Sequence, residues 1–267
     1  MRTMTHAFIG AAALTLSLSS CTYNEELGRS QLLFTGEQSM AQAAAASWQQ
    51  IKQQQRVSRD SRYTSRLNRV APRLLRAAGE DPNQWEYLVF EDDSLNAFAL
   101  PGGRIGIYTG IMDTMRNDAQ LATVVGHEIA HVKYRHSGER YSQQMAASFG
   151  IGLATIATSA SCDGSARQRQ DCQRRNAAYA QAFGVGVLFG AILPYSRKHE
   201  LEADIGGVRY MARAGYNTCE SVVFWRRMAT ASAGQQRPPE FASTHPASGT
   251  RISQLQRALR DMGQSCG

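Results

Sequence analysis

The sequence predicts an α+β fold that is predominantly α-helical, with one small antiparallel sheet packed on a helix that bears two histidines. Three observations predict it. Long alanine-, glutamine- and leucine-rich stretches repeat their apolar residues at helical spacing. Three short alternating runs, punctuated by glycine and proline, crowd between Trp85 and Thr109. Directly after them comes His127-Glu128-Ile129-Ala130-His131, whose histidines share one helical face.

In chain order, Gln38 to Arg56 reads as a helix on propensity alone. Asp60 to Ala78 follows as a second, with Leu67, Val70 and Leu74 on one face and Gly79 and Pro82 ending it. Trp85 to Glu91 alternates aromatic and branched residues and reads as a strand. Ser94 to Leu100 and Arg104 to Thr109 form a hairpin across Pro101-Gly102-Gly103. Asn117 with Gln120 makes a capping box for the histidine-bearing helix; Leu121, Val125, Ile129 and Val132 form its buried stripe, and Gly138 offers a stop. Met145 to Ala160 and Ala177 to Leu193 are apolar, but each is short of the roughly 20 residues needed to cross a bilayer. They predict an α-hairpin. Helices from Arg197 to Ala214, Thr218 to Ala233 and Ser248 onward complete the chain, the last after a Gln235 to Pro239 linker.

The beginning of the chain is read as a targeting segment. Arg2 gives a basic start, Ala7 to Leu18 an apolar core, and Leu18-Ser19-Ser20 leads into Cys21. This resembles a bacterial lipoprotein signal, with Cys21 as the acylated residue. Residues 1–20 are then a signal, 21–36 a tether and 37–267 one domain. Thr22 after the cysteine favours the outer over the inner membrane by resemblance. Four further cysteines in an exported chain predict two disulfides with three possible pairings, of which Cys162 with Cys172 and Cys219 with Cys266 is the favoured one. The formal charge is +7, yet the basic residues are scattered, without aromatic interleaving, which argues against a nucleic-acid partner.

His127 and His131 can grip one metal ion while Glu128 stands beside it as a base for an activated water. A catalytic zinc needs a third protein ligand and an open position. His136, nine residues after His127, would lie about 180° round a continuous helix and face away. Glu200 and Asp204 share a face of a later helix, with Glu202 turned about 160° from both. One of the pair would ligate and the other support.

The block Ser196-Arg197-Lys198-His199-Glu200-Leu201-Glu202-Ala203-Asp204 resembles the Ser-Arg-x-x-Glu-x-x-Ala-Asp segment of HtpX-like zinc metallopeptidases, minigluzincins related to the CAAX prenyl proteases. The resemblance extends to Asn96 through Gly103, Gly126 through His131, and Ser243-Thr244-His245-Pro246 with Arg251. It is nearest to the small periplasmic lipoprotein branch. It implies one zinc per chain on His127, His131 and Glu200, with Glu128 as general base and Asp204 orienting a ligand histidine. It further implies His245 as an oxyanion donor, Arg251 ordering the site, and Asn96, Ala97, Phe98 and Ala99 as the strand to which an extended substrate adds. The expectation is a lipid-anchored metalloendopeptidase acting on unfolded or misfolded envelope proteins. The rival is a non-catalytic zinc-containing chaperone or assembly lipoprotein.

Overall fold

The computed structural model describes residues 21–159, 165–168, 170–172, 174, 193–232, 245 and 249–266. The chain divides into two compact units, one of residues 1–35 and 138–198, the other of 36–137 and 199–267.

The second unit holds the predicted sheet and most of the helices. Helix α1 spans Glu37–Gln54 and α2 Ser61–Ala77, the latter opened by Asp60, whose side chain accepts from the Arg62 backbone N–H. Strands β3 (Glu86–Phe90), β4 (Ala97–Leu100) and β5 (Arg104–Tyr108) form a sheet in the order β3-β5-β4. The β4–β5 hairpin is antiparallel, its turn carried by Gly102 and Gly103 at φ of 81° and 78°, which only glycine adopts freely. The sheet is nevertheless mixed rather than antiparallel throughout, because β3 pairs β5 in parallel. A connection from Glu91 to Asn96 leads from β3 into β4 at the far edge, and β5 then returns between them. Trp48, Phe90, Phe98 and Tyr108 pack ring to ring between α1 and this sheet, with centroids 5.7 to 6.3 Å apart.

A short helix α3 (Thr109–Asp113) leads to α4 (Asp118–Lys133), which carries the histidines. The Asn117 side chain accepts from Gln120 N–H, as the capping pattern predicts. The Gln120 side chain reaches one residue further back, to the Arg116 N–H. Leu121, Val125 and Ile129 are fully buried, and β4 packs against this helix. Its end differs from expectation. The break falls at Tyr134 and Arg135, where Arg135 takes φ 54°, and Gly138 lies inside the next helix, α5 (His136–Ser159). Two turns of α2 grip the start of α4, where Arg66 and Arg69 both donate to Asp118. Helices α6 (Leu193–Arg213), α7 (Cys219–Ser232) and α8 (Gly249–Asp261) follow, and the expected Cys219–Cys266 disulfide closes 47 residues.

In the first unit, β1 (Cys21–Asn24) and β2 (Arg29–Leu32) form an antiparallel hairpin within the segment expected to be a tether. Arg29 makes a two-bonded ion pair with Glu139, which also accepts from Gln31. Cys21 is a free, exposed thiol. Cys172 is disulfide-bonded, while Cys162, the signal segment 1–20 and the linker 235–239 lie outside the described residues, as does much of the predicted α-hairpin. No helix among the described residues is long and apolar enough to cross a membrane.

The hydrogen bond from Arg69, aided by Arg66, holds the Asp118 carboxyl below the usual carboxylate range. A lowered folded value means stabilisation present above the unfolded pKa of about 3.9 and lost as pH falls through the folded one. Asp118→Asn is expected to cost about 0.5–1 kcal/mol at pH 7. Thermal melts at stepped pH should show that difference shrinking below about pH 4.

Candidate metal centre

His127 and His131 stand one turn apart on α4, and both turn Nε2 toward the same point, 3.0 Å from each other. Glu200, on α6, brings Oε2 to 3.3 Å from His127 Nε2 and Oε1 to 3.4 Å from His131 Nε2. His245 brings Nδ1 to 3.1 Å from His127 Nε2 and 2.8 Å from Glu200 Oε2. These four residues form a group able to hold a metal ion.

The helices meet this closely because of two glycines. A Cβ on Gly207 would lie 2.9 Å from the His127 backbone nitrogen, and one on Gly126 would lie 3.1 Å from Gly207 O. The α4 and α6 backbones therefore touch at Gly126 and Gly207. Asp204 is then delivered to the back of His127, and Glu200, one turn earlier, to the front.

Asp204 accepts from His127 Nδ1 at 3.0 Å, so that ring carries its proton on Nδ1 and turns a lone pair on Nε2 toward the cluster. Arg251, on α8, holds Asp204 with Nε at 2.5 Å and Nη2 at 2.8 Å, and approaches Glu200 Oε2 at 3.2 Å. The Arg251 guanidinium also lies over Trp225, 4.0 Å from the ring centroid. Burial opposes ionisation of Asp204, but Arg251 overrides it and lowers the carboxyl. Burial also works against Glu200, yet His245 and His131 hold it well below the usual range.

A cation fits this donor set. Burial penalises a charged His127, but the hydrogen bonds to Asp204 and Glu200 prevail and raise the ring to about 9. The surrounding carboxylates thus favour positive charge beside this ring. A single proton can bridge two of the converging atoms; a divalent ion satisfies all four. The separations of 2.8 to 3.4 Å, taken to both oxygens of Glu200, lie near the distance of about 3.3 Å that zinc bonds of 2.0–2.1 Å imply between ligand atoms.

Glu128 is buried against the cluster, its Oε1 without a hydrogen-bond partner among the described residues and 3.6 Å from His245 Nε2. Burial pushes its carboxyl up, partly offset by neighbours that include the Ala99 backbone N–H. Asn96 and Ala97 are buried, Phe98 and Ala99 partly so, and β4 is an edge of its sheet.

The structure brings His245 into the cluster, its Nδ1 3.1 Å from His127 Nε2 and 2.8 Å from Glu200 Oε2. One placement differs from the sequence reading. His136 does not face away. The break at Arg135 ends the continuous helix on which that inference depended, and His136 Nδ1 lies 3.0 Å from His131 Nδ1. Glu202, set aside for pointing elsewhere, meets His136 Nε2 at 3.2 Å. The signal for this group was the five-residue step from His131 to His136 with a helix end between them.

Asp204→Ala is expected to weaken zinc binding about 10–100-fold in a chelator competition. Gly207→Ala drives a methyl into the α4 backbone and should cost about 1–3 kcal/mol in thermal or denaturant unfolding, with weaker zinc binding beside it.

Residues 61–259 match the peptidase family M48. The chain is 34% identical over 193 residues to the mitochondrial metalloendopeptidase OMA1 of Schizosaccharomyces pombe, covering 72% of this chain and 52% of that protein. It is 30% identical over 244 residues to the human metalloendopeptidase OMA1, covering 87% and 44%. To the putative beta-barrel assembly-enhancing protease of Vibrio cholerae it is 29% identical over 210 residues, covering 79% and 42%. The chain spans about half the length of these relatives or less. With the predicted motifs assembled in the predicted order and most of its length matched, the chain belongs to peptidase family M48.

Proposed function

We propose that the chain is a zinc-dependent metalloendopeptidase, with one zinc held by His127, His131 and Glu200. The observation that carries the reading is Glu128: a buried carboxylate, one oxygen without a hydrogen-bond partner among the described residues, set beside a cluster of potential metal-ligand atoms. A structural site has no use for it. Zinc bound there supplies a Lewis acid for the scissile carbonyl and an acidified water. Glu128 takes the proton from that water and passes it to the leaving amine, and its raised carboxyl pKa suits both steps. Asp204 and Arg251 keep the His127 ring in its ligating tautomer. His245 borders the site, its Nε2 3.6 Å from Glu128 Oε1, and would supply a donor to a developing oxyanion.

The substrate is an extended, unfolded segment. Edge strand β4 has one side free of strand pairing among the described residues, and strand addition reads conformation more than sequence. The relatives named beta-barrel assembly-enhancing protease support protein substrates, and with the lipobox-like segment the reading extends to unfolded or misfolded envelope proteins. The lipobox-like Leu18 to Cys21 supports a lipid anchor, with the outer membrane favoured, a tether over 21–36 and one peptidase domain over 37–267. The exposed, free Cys21 is compatible with acylation.

One observation favours a second reading. The cluster offers four candidate protein ligands, and a centre that used all four would have the pattern of structural zinc, as a non-catalytic chaperone or assembly lipoprotein would have. Incubation with casein separates the two. The metal-loaded chain is expected to cleave it, chelation to stop cleavage, and Glu128→Gln to reduce the rate about 10²–10⁴-fold while zinc content stays at one equivalent. Cleavage unaffected by Glu128→Gln, or no cleavage by the metal-loaded chain, would refute the peptidase reading.

A further inference from the structure

Helix α4 stops at Tyr134, Arg135 takes a left-handed φ of 54°, and His136 opens α5. That reversal returns the His136 imidazole to the far side of His131, Nδ1 to Nδ1 at 3.0 Å. The other nitrogen, Nε2, stands 3.2 Å from Glu202 Oε2. The metal-facing atom of His131 is Nε2, so these contacts occupy the opposite side of its ring.

Proton accounting gives the contacts a direction. An imidazole that ligates through Nε2 keeps its proton on Nδ1. Two ring nitrogens at hydrogen-bond distance need one donor and one acceptor. His131 Nδ1–H therefore donates, His136 Nδ1 accepts, and the proton of His136 sits on Nε2, where Glu202 accepts it. The reverse order would put a proton on His131 Nε2, where a metal must bind.

We propose that His136 is the positioning residue of His131, holding it in the tautomer whose Nε2 lone pair faces the metal, with Glu202 fixing His136 in turn. This rests on the metal-centre reading and extends it. Helix α6 then supports both ligand histidines from behind: Asp204 reaches His127 directly, and Glu202 reaches His131 through an imidazole. The intermediary is held in plane. His199 stacks on it at 4.4 Å and 15°, and Tyr134 meets it edge-on at 5.6 Å.

His136, His199 and Glu202 also bring ligand-type atoms within 4.8 Å of one another. Zinc wants its ligand atoms about 3.3 Å apart, and stacked rings aim their lone pairs in parallel rather than at a common point. The relay accounts for the geometry better than a second ion.

The test is zinc affinity of the full chain by chelator competition, beside the d–d absorption of the cobalt(II)-loaded protein and melting of the apo-protein. His136→Leu removes the acceptor and is expected to weaken zinc binding about 10–100-fold, with altered cobalt bands. His136→Asn puts Oδ1 where Nδ1 stood and is expected to bind within about threefold of wild type, even where its apo-protein melts as low as the Leu variant. A role in folding alone would make affinity follow melting temperature in both variants, and that result overturns the proposal. So does wild-type affinity in His136→Leu, or a second equivalent of zinc that His199→Leu abolishes. A wild-type chain that binds no zinc overturns the metal-centre reading, and this proposal with it.

Discussion

Glu128, Glu200 and Asp204 are buried carboxylates around one centre, and Arg251 is the buried guanidinium that faces them. Three potential negative charges against one positive leave a deficit of two, which a divalent cation balances. An uncompensated buried charge costs several kcal/mol, so this site cannot be indifferent to what occupies it. Burial opposes a charged His127, yet its hydrogen bonds to Asp204 and Glu200 raise that ring, whereas burial drives His131 well below its ordinary value.

The geometry that concentrates this charge depends on backbone contact. With any side chain at Gly126 or Gly207, α4 and α6 would stand further apart, and Glu200 would no longer bridge the two histidines. The same approach puts Asp204 behind His127 and lets α8 reach in with Arg251. Packing, coordination and charge pairing are therefore one constraint, carried on three helices that are distant in sequence. The α2 arginines on Asp118 and the Asn117 cap fix the first turn of α4, so the helix axis is set before the glycine crossing is reached.

Much of this was legible in the chain because it is local. The Asn117 cap, the α2 stripe of Leu67, Val70 and Leu74, the glycine hairpin before Arg104 and the shared face of Glu200 with Asp204 all follow from spacings of a few residues. What escaped is either non-local or a local exception. The parallel pairing of β3 with β5 depends on where a connection lands, not on the strand's own pattern. The β1–β2 hairpin is four residues a side and mostly polar, with no alternation to announce it. Arg135 in left-handed backbone is a conformation its residue type does not advertise. That one exception hid His136, since the angular argument assumed an unbroken helix. The Gly126–Gly207 contact and the place of His245 within the cluster exist only once distant segments meet.

Edge strand β4 ties the chemistry to the proposed substrate. Its Ala99 N–H contributes to the environment of the Glu128 carboxylate, so the strand that would accept an extended peptide also touches the base. Phe98 points its ring into the cluster of Trp48, Phe90 and Tyr108, which anchors β4 by side chains and leaves its outer backbone edge free of strand pairing among the described residues. A peptide added at that edge would be registered by main-chain hydrogen bonds, and one residue of register moves it by about 3.3 Å. A scissile bond would then be brought to Glu128 by position along the strand rather than by the identity of its side chains. Such an arrangement discriminates extended from folded chain, the discrimination a protease for unfolded segments requires.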